Sequence, residues 1–209
     1  MRGKKTKYFS KFSAREIKIF KNLSTPGKIQ DFLEKIPINF NKKRNTCLSP
    51  RMVLLKNTAH CIEGAIFAAA VFLFHGQQPL LMDLQAVDND YDHVVALFRK
   101  NRRWGAISKT NHAVLRYREP VYGSIRELAM SFFHEYFDDR GRKNLRSFSG
   151  PFNLLRFAKK DWLTSKKDLW YIERELDKIP HCKILTKKEI ANLRLADPIE
   201  IKVGKITQY

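Results

Sequence analysis

The chain has 209 residues, 44% of them hydrophobic and 15 of them phenylalanine. That is enough for one domain with a sizeable core, and it excludes a disordered chain. Lys and Arg total 40 against 21 Asp and Glu, a formal charge of +19, which draws nucleic acid, anionic lipid or acidic protein toward the surface without dictating a fold.

Three cysteines are too few for a disulfide framework. The longest apolar run, Ala65 to Phe74, is ten residues, too short to span a bilayer. The opening segment lacks a signal-peptide pattern. These features predict a cytoplasmic protein with reduced thiols and no membrane span.

In chain order, residues 1–12 read as a basic flexible arm in which Tyr8, Phe9 and Phe12 could stack on bases. Residues 13–209 form a single domain with a C-terminal helical extension. Ser13 and Glu16 have capping-box spacing before a stripe of Ile17, Phe20 and Leu23. Thr25-Pro26 starts a helix facing Ile29, Phe32, Leu33 and Ile36 inward, and Ser49-Pro50 starts a shorter one. A helix from Cys61 to about Phe74 ends at Gly76. Strands follow at Pro79 to Val87, at "HVVALF" and at "WGAISK", the last two joined by a turn in "RKNRR". Ser124 and Glu127 cap a helix through "LAMSFFHEYF", and further helices are expected over 160–179 and 186–195. The order is α+β: helices, a central helix packed on a small antiparallel sheet, then helices.

Cys61 is the residue with chemical potential. A cysteine in the first turn of a helix lies near unpaired N–H groups and the positive end of the dipole, both of which favour thiolate. Asn57 or Thr58 would cap that helix. A nucleophilic thiolate needs a base, and the base needs an orienter. His93 opens a strand, and counting outward from the "RKNRR" turn sets it opposite about position 108. The plain structural reading is that a free cysteine before an apolar helix is a core residue.

The segments "TPGKIQDFLEKIPINF", "SPRMVLLKNTAHCIEGAIFAAAVFLFHG" and "DHVVALFRKNRRWGAIS" resemble the transglutaminase-like superfamily, a papain-like cysteine fold. The resemblance runs from about Ser24 to Asn111. It implies a nucleophile heading a helix with a small residue four positions on (Cys61, Ala65) and a His opening a strand (His93). It also implies a Trp on the next strand four residues before the third catalytic member, here Trp104 and Ser108. Two positions depart from that pattern. Ala59 replaces a Gly two residues before the nucleophile, and Ser108 replaces an Asp. A hydroxyl can fix the imidazole tautomer but does not stabilise imidazolium as a carboxylate does. Asn111, Asp90 and Asp92 are the alternatives for that role.

The implied function is a cysteine hydrolase or acyltransferase acting on a peptide or protein amide through a thioester. The alternatives are a catalytically silent relative that binds through the same cleft and a basic nucleic-acid-binding protein. No cofactor or metal is expected. Asp88 to Asp92 lacks the Gly and the distal acidic residue of a calcium loop, and neither His60 nor His75 belongs to a closed zinc set.

Overall fold

The computed structural model describes residues 8–40 and 45–208. Each of the first helices begins where a side-chain oxygen meets orphan N–H groups. The Ser13 hydroxyl and the Glu16 carboxylate bond reciprocally to each other's backbone N–H at the start of α1 (Ala14–Asn22). Thr25 caps α2 (Pro26–Lys35), and Ser49 caps α3 (Pro50–Lys56). Asn57, at φ 51°, turns the chain out of α3 in the left-handed conformation, so it closes that helix instead of capping the next. The chain then runs extended to His60, the N-cap of α4 (Cys61–Phe74).

Every residue of α4 from Ile62 to Phe72 is buried. A helix that is apolar all round must be enclosed on most sides. Here α1 and α3 pack around it with one face of the sheet, and its core includes Phe20, Phe67 and Val71.

The sheet runs β4-β3-β2-β1-β5-β7, with β6 also on β1, and its strands pair antiparallel. The strands are β1 (Leu80–Gln85), β2 (His93–Lys100), β3 (Arg103–Ile107), β4 (Arg118–Tyr122), β5 (Ser147–Ser149), β6 (Phe152–Asn153) and β7 (His181–Lys183). Asn101 and Arg102, at φ 49° and 64°, make the tight turn between β2 and β3, with both central residues left-handed, as the twist of a two-residue hairpin requires. Leu81, Val94, Ala96 and Ile107 face α4. Met82, Leu84, Val95 and Leu97 face α5 (Ile125–Phe133), whose Leu128, Ala129 and Phe132 cover them. Burial on both faces explains why β1 and β2 read as nearly continuous apolar runs.

The fold is α+β, as expected, but the sheet is larger than three strands. The short polar strands β4 to β7 carry too few alternating residues to signal themselves. The helix expected over 160–179 is confined to α6 (Trp170–Asp177). Before it, Asp161 accepts bonds from the Thr164 hydroxyl and N–H, holding a turn that plugs Trp162 and Leu163 into the core. Beyond lie α7 (Lys187–Ala191), inside the expected 186–195, and α8 (Pro198–Gly204), started by Asp197.

The expected arm is packed from Tyr8 onward. Phe9 and Phe12 are buried, with ring centroids 5.1 Å from Phe74 and 5.2 Å from Phe20 respectively. Both are therefore committed to the core rather than to stacking on bases, and residues 1–7 lie outside the described residues. Among the described residues, no helix is long and apolar enough to cross a membrane.

Candidate active site

The N-terminus of α4, the start of β2 and the end of β3 meet at one end of the sheet's central strands. Cys61 is there, partly exposed, while His93 and Ser108 are buried. The observed register, Ala96 opposite Ile107, carried outward would set His93 opposite position 110 rather than 108. A two-residue offset keeps the same face, so the diagonal neighbour Ser108 still reaches the imidazole, and His93 Nε2 lies 2.7 Å from Ser108 Oγ.

The tautomer follows from proton counting. Ser108 has one hydroxyl proton and gives it to the Leu115 carbonyl. It must therefore accept from His93, so Nε2 carries hydrogen and Nδ1 is the nitrogen left for chemistry. The His93 side chain also hydrogen-bonds the Cys61 thiol. Of the candidate orienters, then, Ser108 holds His93. Asn111 is buried nearby, and its carbonyl accepts from the Gln208 N–H. Asp90 bonds Asn144, and Asp92 bonds the Ala86 N–H.

Ser108 is itself fixed by a residue that sequence reasoning missed. The buried Gln30 of α2 accepts from the Ser108 N–H at 3.0 Å and donates to the Ser108 carbonyl at 2.7 Å. Its amide thus stands in for the next strand of a ladder. Lys109 follows, its ammonium donating to the Leu33 and Ile36 carbonyls at 2.8 and 2.7 Å and so closing the C-terminus of α2. Its stem packs on α4 at Gly64, where an added Cβ would meet Lys109 Cβ at 2.5 Å. That contact explains a glycine inside an otherwise apolar helix.

The other side of Cys61 is built by Glu63, which is fully buried. One carboxylate oxygen accepts from the Thr46 hydroxyl at 2.6 Å and the Leu48 N–H at 2.9 Å. The other accepts from the Asn39 amide at 2.9 Å and the His60 N–H at 3.0 Å. A carboxylate in the first turn also opposes the helix dipole favourably. His60 donates from Nε2 to the Thr46 carbonyl at 2.6 Å, with a Glu63 oxygen at 3.4 Å.

Burial would raise the Cys61 thiol. Hydrogen bonds from the His60 and His93 side chains, together with their positive charges, outweigh it and bring the thiol down to about 5. For His60, burial opposes charge, but the bond to Cys61 and the charges of Cys61 and Glu63 raise it to about 9. Cys47 shows the contrast: buried, and beside Glu63 and Glu173, it is pushed far up and left inert.

An acidic group borders this site. Asp83, on β1, is buried and accepts from His181 Nε2 at 3.1 Å, while its Oδ1 has no donor among the described residues. Partial burial, with Asp83 and Asp177 nearby, raises Asp92 to about 6. Burial also raises Glu173 of α6, helped by Asp177 and Cys61. Among the described residues, no three of His, Cys, Asp or Glu are placed to hold a metal ion. Two surface depressions, of about 260 Å³ beside Phe137 and Ile199 and about 200 Å³ beside Lys109 and Gln208, are not lined by Cys61.

Compared with known proteins, the chain matches no family model and no curated protein.

Proposed function

We propose that the protein is a cysteine-dependent hydrolase or acyltransferase acting on an amide, with a papain-like, transglutaminase-like core. The supporting observation is the Cys61–His93–Ser108 relay, in which a thiol at a helix N-terminus meets an imidazole whose free nitrogen is set by a hydroxyl. The order of parts supports the fold reading: a nucleophile on the central helix, a histidine opening β2, and an orienter at the end of β3.

In this reaction the Cys61 proton passes to His93 Nδ1, and the thiolate attacks the amide carbonyl carbon. The C–S bond forms as the carbonyl becomes an oxyanion, which gathers beside the Cys61 backbone N–H at the dipole's positive end. His93 then gives its proton to the leaving nitrogen, the C–N bond breaks, and an acyl-thioester remains. Water or an amine attacks the thioester while Nδ1 takes its proton, and the thiolate leaves. Ser108 keeps its hydrogen bond throughout, so the imidazole does not rotate between steps.

The test is turnover of a panel of peptide amides and p-nitroanilides by the wild type and by the Cys61→Ala and His93→Ala variants. The proposal expects turnover that vanishes in Cys61→Ala and falls by about 100-fold or more in His93→Ala. Turnover that survives Cys61→Ala would overturn it.

A further inference from the structure

The triad pattern asks for a carboxylate behind the imidazole, and His93 has a hydroxyl there instead. A buried carboxylate does exist at the site, but behind the other imidazole. In the consecutive stretch His60-Cys61-Ile62-Glu63, Glu63 Oε1 lies 3.4 Å from His60 Nε2, while Glu63 Oε2 accepts from the His60 N–H at 3.0 Å. His60 Nε2 also donates to the Thr46 carbonyl at 2.6 Å, which commits that nitrogen to carrying hydrogen. The remaining nitrogen, Nδ1, is then the one available to the Cys61 sulfur, and His60 and Cys61 share a side-chain hydrogen bond.

We propose that His60, gripped between Thr46 and Glu63, is a counter-ion that keeps its charge through the catalytic cycle and holds Cys61 ionised, while His93 alone carries protons to and from the substrate. The inference rests on the reading of Cys61 as a nucleophile. The chemistry divides cleanly between the two rings. A proton carrier must gain and lose its proton in every cycle, and the Ser108 hydroxyl adds no negative charge to hold one on His93. A counter-ion must keep its proton, and Glu63, anchored by four donors, stands beside His60 for that purpose. With Cys61 already ionised, the proton that reaches the leaving nitrogen is the one carried on His93 Nδ1, and the water or amine that attacks the thioester returns it, while both His60 N–H bonds stay intact. The charged groups facing His60 from each side are Cys61 and Glu63 on its own helix and Glu173 on α6. The carboxylates favour the cation. Thiolate and imidazolium coexist between about pH 5, where Cys61 is protonated, and about pH 9, where His60 loses its proton.

The experiment titrates the Cys61 thiolate by its ultraviolet absorbance in a Cys182→Ser background, with Cys61→Ser subtracted. It is run for wild type, His60→Asn and His93→Asn, alongside amide turnover. Asn is a good N-cap, so His60→Asn retains the helix start, and a thermal melt within a few degrees of wild type checks this. The expected result for His60→Asn is an acid limb moved up by about two pH units, with turnover retained at higher pH where the thiol ionises anyway. His93→Asn should keep a depressed limb but lose turnover at every pH. An unmoved limb in His60→Asn, or an equal loss of turnover at all pH values in both variants, would overturn the division of roles. An ordinary thiol limb in the wild type would instead overturn the nucleophile reading beneath it.

Discussion

The thiol of Cys61, lowered from an ordinary value of 9.0 to about 5, should show a reactivity profile that crosses that of the unfolded chain. Take a neutral thiosulfonate as reagent, with Cys182→Ser as background and adducts located by mass spectrometry. At about pH 5.5 roughly three quarters of Cys61 is thiolate in the fold, against about 0.03% in an unfolded control, a ratio of about 2,400. A weaker base is also a weaker nucleophile. With a Brønsted slope of about 0.45, a drop of about four in pKa costs roughly 60-fold. The net advantage of the folded protein at about pH 5.5 is therefore about 40-fold. At about pH 8 the control is about 9% ionised, and the same product makes the folded thiol roughly six times slower. The curves should cross near pH 7.2, by about the same arithmetic. The partly buried position of Cys61 lowers the folded curve by a constant factor but leaves its flat shape above about pH 6. A folded curve that rises in parallel with the control up to about pH 9 would refute the stabilised thiolate.

Three further outcomes follow from the supporting side chains. Ser108→Ala leaves the His93 Nε2–H and the Leu115 carbonyl without their shared partner, so turnover should fall by up to about 100-fold and unfolding free energy by about 1–3 kcal/mol, whereas Ser108→Thr should restore both. Gly64→Ala gains about 1 kcal/mol of helix propensity but drives a Cβ into Lys109 at 2.5 Å. The melt should therefore show net destabilisation of about 1–2 kcal/mol, and a more stable variant would contradict the packing at that contact. Glu63→Gln turns an amide toward donors that need acceptors on both oxygens, so chemical denaturation should show a loss of at least about 3 kcal/mol.

How much of this was legible depends on whether a residue's role is local. The capping residues Ser13, Thr25 and Ser49 start their helices where their spacing indicated, because a cap bonds within three residues of itself. His93 was found near position 108 because turn counting fixes a face even when the register is off by two. Gln30 was missed because its bonds reach 78 residues along the chain and nothing in its own helix marks it. His60 and Glu63 could have been noticed as an N-cap and N3 acid flanking a cysteine, which is capping-box spacing with His in the unusual first position. Asn57 was misplaced because the same residue type serves an N-cap and a left-handed helix end, and only the backbone decides between them. The basic, aromatic N-terminal segment looked like an arm, since charge dominates its composition. Phe9 and Phe12 nonetheless find the apolar end of α4 at Phe74.

The most direct measurement is a rapid acid quench of the protein with p-nitrophenyl acetate, followed by intact and peptide mass analysis. The account predicts one acetyl group on Cys61, formed in a burst stoichiometric with protein and removed by neutral hydroxylamine. It should be absent in Cys61→Ala and slow to turn over in His93→Ala. Acetylation confined to lysines, or a burst unchanged in Cys61→Ala, would contradict it.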